Sequence, residues 1–562
     1  MGLHGHGADL RLKPKKKTKA DAGALLTAAA AIVVFLPALS GGFVWDDAFY
    51  VTDNPILKMG IADAARAIAT SFVVGNYHPV TVASLALEAA AFGIRPPVFH
   101  ATNLLLHAAN AVCAGLLLQA LGIRRAAAWA GAILWAVHPL RVESVAWISA
   151  RKDLLYVLFF LLAMLAYVRH ARRDATPGRA YAASLGLFVA SCLSKAMAVS
   201  LVPVLLLVDW LLGRRATART LSEKVPFAVI ALVIGGIALA AQRSAGATPD
   251  APDHALAARL AFAGYGLVFY LVKTVVPVGL SAFYPYPGGP AGPVPPAVLA
   301  QAVAALALLA AAVRFRSARW LVFGAGFYAL ALAPVLQLVP VGAAVAADRY
   351  AYLPAIGISF LIAHAIGSRG EPRGALAAAA LIAVALGGIS WARCAVWHDG
   401  LSLWNDVLAK HPGVAIAHQN RGVARESAGD HRGAIADYDA ALAAVPGYAD
   451  AWANRGIARA SLGDRTGSLR DLREAVRLDP ARPTFRFDLG LVLGDLGAWD
   501  DALAELGEAI RLNPRFAEAH LNRGLALEQM GRAAEGAADV RRAAELGYPV
   551  DPSILQRFAR AR

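Results

Sequence analysis

From Ala22 to Trp391 the chain runs in long apolar stretches broken by short polar connections; beyond Trp391 that pattern gives way to a charged, alanine-rich one. About twenty apolar residues cross a bilayer. The runs at roughly 22–40, 99–120, 124–139, 153–169, 179–195, 196–212, 224–242, 258–277, 296–313, 318–338, 349–367 and 374–393 therefore predict a polytopic helical membrane domain. Lys and Arg stay on the cytoplasmic side of such segments. With the basic "RLKPKKKTK" start cytoplasmic, the loops carrying Arg124, Arg169 and Gly213–Arg214 also fall inside. If the eighth run, 258–277, crosses as well, "RFRSAR" at Arg314 and "GSRGEPRG" at Gly367 end up outside. If it is re-entrant or interfacial, both return to the cytoplasm. The charge pattern thus predicts about 11 crossings, an irregular eighth segment covered at the outer face, and an extracytoplasmic C-terminal part. Twelve plain crossings with a cytoplasmic tail is the alternative.

Composition agrees with a membrane protein: 58% of residues are hydrophobic and 17% charged, against roughly 25% charged in soluble domains. The net charge of +15 sits in the N-terminus and the loops that set topology, so it predicts orientation and no nucleic-acid partner. The polybasic lead and the lack of a small-residue cleavage site before Asp46 favour a retained first helix over a secretory signal. Cys113, Cys192 and Cys394 have neither metal-ligand nor disulfide-framework spacing and read as small core residues.

The tail repeats. Gly422, Gly456, Gly490 and Gly524 are 34 residues apart, as are Pro446, Pro480 and Pro514. Asn420, Asn454 and Asn522 keep the same register, with Asp488 in the missing slot. This is the period of tetratricopeptide (TPR) helix pairs, in which the small residue lets the two helices approach. "SLWNDVLAKHP" reads as the second helix of an incomplete leading unit, with Trp404 in the column of Tyr438. The expected architecture is all-α: a basic cytoplasmic N-terminus at 1–21, a transmembrane domain at 22–398 with a first outer loop at 41–98, and a TPR solenoid at 399–562 holding a partial unit and about 4 repeats. Stacked repeats form a groove for an extended peptide; Asn420, Asn454 and Asn522 either line it or satisfy backbone groups between helices. A spacer without ligand is the plainer reading.

Polar residues gather at the outer ends of the apolar runs, where ionisable groups are costly and mark function. Asp46 and Asp47 follow the first run; the pair suits a cation, a proton in transit, or a wet loop. His78 lies in the first loop, and His138, Arg141, Glu143, Arg151 and Asp153 crowd "HPLRVESVAWISARKDLL". Arg141, Arg151 and Lys152, outside despite the charge rule, suit an anion such as a lipid phosphate, or are neutralised by Glu143 and Asp153. Lys195, Asp348, Arg349 and Tyr350 adjoin later runs, either snorkelling to the interface or holding phosphate. His100, Asn103, His107 and Asn110 share one helical stripe, better suited to polar packing than to metal, since histidines seven apart span two turns.

On "HPLRVESVAWISARKDLL", "LSKAMAVSLVPVLLLVDW", "DRYAYLPAIG", the outer Asp-Asp and the TPR tail, the chain resembles the transmembrane-and-TPR-containing proteins and their bacterial relatives, of the GT-C glycosyltransferase superfamily near the protein O-mannosyltransferases. The resemblance covers almost the whole chain. It implies eleven spans, a catalytic acid in the first outer loop, a polyprenyl-phosphate-linked sugar donor, and repeats on the side of a protein acceptor. Asp46 and Asp47 match the family's acidic pair, and Lys195 and Arg349 fall in its later blocks. His78 stands where relatives often carry Arg before Pro, and Ala196 where Glu often follows the Lys, so a bacterial inner-membrane protein using an undecaprenyl-phosphate sugar is the expectation. The expected roles are Asp46 or Asp47 as general base, with Arg349, Lys195, Arg141 and Arg151 on the donor phosphate. A divalent cation, Mg or Mn, on the acidic pair is an alternative use of those carboxylates. A non-catalytic scaffold for envelope proteins and a saccharide ligase are the competing functions. No nucleotide-binding fingerprint such as GxGxxG is evident.

Overall fold

The computed structural model describes residues 21–172, 177–244, 254–289, 292–339 and 342–560; the polybasic stretch expected to set the orientation lies outside them. The described chain is almost wholly helical and divides into two compact units.

The first unit comprises Met1–Gly42, Asp46–Leu280 and Tyr286–Ala395. Among the described residues seven helices are long and apolar enough to cross a membrane, and four shorter apolar helices accompany them. The path can be followed through ion pairs and aromatic contacts that mark two ends of the bundle. At one end Tyr167 donates to Asp209 at 2.8 Å, Arg214 binds Asp209 and Glu223, and Lys224 joins the same cluster. Arg319 stacks over Trp210 there at 6.0 Å, and Asp21 pairs with Arg125 at 2.7 Å. The other end gathers the polar motifs. The seven long apolar helices are Ala22–Ser40, Pro96–Ala120, Ile148–Ala171, Ala218–Ser244, Leu256–Val275, Pro296–Arg314 and Arg373–Trp397.

The eighth apolar run packs one face against the polar end. Gln242, late in Val225–Ser244, reaches Asn76 at 3.1 Å at the polar end. Pro296–Arg314 joins Arg319 at the opposite end, so it too begins at the polar end. Between them lies Leu256–Val275, and one stripe of it, with its residues four apart, touches connections of the polar end throughout. Phe262 meets Tyr286, Gly266 faces Leu336, Tyr270 bonds Ala347 at 3.1 Å, and the Thr274 carbonyl lies 2.9 Å from His138. The expectation of irregular backbone fails: the segment is one unbroken 20-residue helix, long enough to cross. That stripe packs there because its aromatic and small residues repeat at helical spacing.

The second unit comprises Phe43–Trp45, Ser281–Pro285 and Val396–Arg562. Antiparallel helix pairs run from Gly400–Lys410 to Pro552–Arg560. The glycine column works as its period requires: a Cβ on Gly422 would come within 2.5 Å of the Tyr438 ring, and one on Gly524 within 2.7 Å of Val540. Trp404 is buried like Tyr438 and meets Trp45 edge-on at 5.2 Å. A second column escaped the sequence reading. The Arg of each "NRG", at Arg421, Arg455 and Arg523, forks onto Asp437, Asp471 and Asp539, sixteen residues on. In the third repeat Leu489 replaces the Arg, and Arg486 pairs with Glu505 instead. The three cysteines are buried and unpaired.

Candidate functional site

Arg125–Ala136 has 12 residues, about 18 Å of helix against a hydrocarbon core of about 30 Å. The depth it leaves is filled by His138–Ala150, every residue of which is buried. Short 3₁₀ and α turns, begun at Pro139 and at Ile148, fold this polar segment back into the bundle. Around it the outer motifs converge.

Most of the expected ionic groups are already matched there. Arg349 binds Glu143 through side chain and backbone N–H, the latter at 2.9 Å. Lys195 pairs with Asp153 at 2.6 Å. Arg151 binds Glu88, the Asn103 amide oxygen at 2.9 Å and the Phe99 carbonyl at 2.7 Å. Asp348 lies 3.6 Å from Arg393. Tyr350 sits beside both Arg349 and Lys195, its ring 4.9 and 5.7 Å from their charges. Arg141 has no carboxylate partner among the described residues; it donates to the Ala351 carbonyl at 2.8 Å and lies between the rings of Trp135 and Tyr352. His138 is tied to Thr274 and Leu140.

The acidic pair is divided. Asp47 is fully buried, and one of its oxygens accepts the Ser149 backbone N–H at 2.7 Å together with the Ser149 hydroxyl. Asp46 is half-buried, and its carboxylate makes no hydrogen bond among the described residues. Burial holds its pKa above the ordinary carboxylate value, against the opposing charges of Lys152 and Arg349. It follows Trp45, whose left-handed backbone (φ 54°) is uncommon for a bulky residue and turns the chain sharply at this point. His78 is buried, both ring nitrogens lack a partner, and burial pushes its pKa down, so it stays neutral.

The histidine and asparagine stripe packs. His107 bridges Tyr352 at 2.7 Å and the Ala136 carbonyl at 3.0 Å, while Asn103 and Asn110 hold backbone carbonyls of the Val145–Leu154 segment. Among the described residues no group of three or more His, Cys, Asp or Glu is placed to hold a metal ion. Ser149 engages one oxygen of Asp47, and Asp46 remains the carboxylate of the pair without a hydrogen bond among the described residues. Sequence reasoning gave no role to Glu88 or Ser149, and placed Lys152 with Arg141 and Arg151 as cations suited to an anion without separating it from them. Glu88 was visible as an acid inside an apolar helix, and Lys152 as the neighbour of Arg151. An apolar groove of about 960 Å³ lined by Leu26, Trp129 and Ala383 contains none of the site residues.

In the second unit Asn420, Asn454 and Asn522 are half-buried, and Asn522 donates to the Glu518 carbonyl at 2.8 Å. Asp488, in the Asn slot of the third repeat, is pushed up to about 7 by burial and by Glu518.

Comparison with known proteins fits this anatomy. Tetratricopeptide-repeat profiles match residues 397–449, 421–483 and 493–531. The chain is 34% identical over 160 residues to protein O-mannosyl-transferase TMTC1 of Mus musculus, covering 27% of this chain and 17% of that protein. It is 27% identical over 217 residues to protein O-mannosyl-transferase F38B6.6 of Caenorhabditis elegans, covering 36% and 30%. The matched stretches thus span less than a third of those relatives' length. Among solved structures MamA matches at 23% identity over 26% of this chain and 85% of that one, with a TM-score of 0.25. The chain carries tetratricopeptide repeats behind an all-α membrane domain and is similar to the TMTC protein O-mannosyl-transferases, as its motifs led one to expect.

Proposed function

We propose that this chain is a membrane glycosyltransferase of the GT-C type. It moves a sugar, mannose or another hexose, from a polyprenyl-phosphate donor to a hydroxyl of a protein outside the cytoplasm, and its repeats present that acceptor. The setting is a bacterial inner membrane, with the polar end of the bundle and the repeats on the extracytoplasmic side. The observation that carries the reading is Asp46, a carboxylate without a hydrogen-bond partner among the described residues, raised in pKa by burial and near the charges of Lys152 and Arg349. The names of the relatives support the reaction class.

In the reaction Asp46 accepts the proton of the acceptor hydroxyl as its oxygen attacks the anomeric carbon. The bond from that carbon to the phosphate oxygen breaks, and its electron pair leaves with the polyprenyl phosphate. Asp47, fixed by Ser149, holds the loop that carries Asp46. The site's positive charges stabilise the departing phosphate, and no step runs through a metal. The test is transfer by the purified full chain in a bilayer, with a polyprenyl-phosphate hexose and an envelope-protein substrate. Sugar appearing on Ser or Thr supports the proposal, and donor left intact over many hours refutes it.

A further inference from the structure

Lys152 stands apart from the other cations of the polar end. Arg151, Lys195, Arg349 and Arg393 each have a carboxylate. Arg141 is fully buried, seated between two rings and bonded to a carbonyl. Lys152 is 7% exposed, yet among the described residues it makes neither an ion pair nor a hydrogen bond. Its ammonium lies 4.3 Å from the centre of the Tyr50 ring and 5.0 Å from that of Trp147. Such contacts recover about 2 kcal/mol when desolvated, less than the several kcal/mol that burying a charge costs. Its place compounds the cost: Lys152 is the second residue of Arg151–Ala171, in the first turn, where the helix dipole opposes a cation and favours an anion.

The surrounding groups share the deficit. Among the described residues the Tyr50 hydroxyl and both nitrogens of His78 have no hydrogen-bond partner, and the two rings stack at 6.4 Å. A lysine in the first turn of a helix, a phenol and a neutral imidazole thus lack a hydrogen-bond partner among the described residues in one place, beside the carboxylate of Asp46. An oxyanion with several lone pairs satisfies all of them.

We propose that Lys152, with Tyr50 and His78, receives the phosphate of the lipid-linked donor. The proposal rests on the transferase reading above and names the group that binds its leaving phosphate. When the anomeric C–O bond breaks, the added negative charge falls on the phosphate oxygen nearest Lys152. The lysine remains protonated while Asp46 holds the acceptor's proton, so charge and protons balance. Arg349 and Lys195, spent on Glu143 and Asp153, act as the scaffold that keeps this face in position.

The test is binding of farnesyl phosphate, with farnesol and inorganic phosphate as controls, to the full chain in nanodiscs. Wild type should bind farnesyl phosphate at least about tenfold more tightly than farnesol. Lys152→Met should lose about 10- to 100-fold in farnesyl phosphate affinity, the scale of a charged hydrogen bond, with farnesol binding unchanged; Lys152→Arg should stay within about threefold of wild type. If Lys152→Met does not fold, Lys152→Gln carries the same expectation. Wild-type affinity in the Met or Gln variant overturns the assignment to Lys152. A wild type that does not distinguish farnesyl phosphate from farnesol overturns the underlying lipid-phosphate reading. Inorganic phosphate binding as tightly as farnesyl phosphate overturns the lipid as the source of the anion.

Discussion

Ser149 donates both its backbone N–H, at 2.7 Å, and its hydroxyl to one oxygen of Asp47. That bond ties the first loop to the buried polar segment and leaves Asp46 as the carboxylate of the pair able to accept a proton. Asp46→Asn should therefore lower kcat by at least about 100-fold, the lower bound for a general base, with an unchanged melting temperature. Asp47→Asn and Ser149→Ala should each cost about 1–3 kcal/mol of stability, with activity falling in step with the folded fraction. Rates and melting curves of the three variants check this; equal rates for Asp46→Asn and wild type would remove the base.

The pH profile follows from the burial of Asp46. A base works ionised, and this carboxyl is held above its ordinary range. The acid limb of kcat/KM should lie above the roughly 3.9 of a free Asp. The charge of Lys152 opposes the shift, so in Lys152→Met the limb should move to higher pH, whereas Lys152→Arg, which keeps the charge, should leave it in place.

Arg151 and Glu88 are both buried, and removing one leaves the other charged and alone. Glu88→Gln should destabilise the membrane unit by about 3–5 kcal/mol, read as a lower denaturation midpoint in detergent. The affinity of the folded fraction for farnesyl phosphate should be unchanged, since Arg151 serves the scaffold. A loss of affinity at constant stability would return Arg151 to the phosphate.

Asp488 gives the repeats a pH dependence of known sign. Its folded pKa of about 7 lies above the unfolded 3.8, so the native state binds the extra proton. Stability is then full below about pH 4, falls as pH rises toward 7, and stays reduced above it. Asp488→Asn, which restores the residue of the sister repeats, should raise the stability of the repeat unit at pH 8 by ~1–3 kcal/mol and flatten the dependence. Hydrogen exchange of the repeat helices in the full chain at pH 5 and pH 8 measures both effects.

The repeats were legible because their information is periodic along the chain: Gly422, Gly456, Gly490 and Gly524 announce the helix contacts that the structure contains. The apolar helices were legible because length and apolarity are local properties. The site was legible as a set of motifs, but not as a set of roles. Asp46 and Asp47 are neighbours in sequence and face different surroundings. Arg151 and Lys152 begin one helix, and a rotation of about 100° per residue sends one to Glu88 and the other to Tyr50. Which cation is paired depends on partners as remote as Glu143 from Arg349, 206 residues apart, and no local pattern encodes that.

The most direct test compares envelope proteins from cells expressing wild type or Asp46→Asn at equal, membrane-inserted levels, by mass spectrometry of Ser- and Thr-containing peptides. The account predicts hexose-bearing peptides with wild type and their loss with Asp46→Asn. The same modified peptides at the same occupancy in both would contradict it.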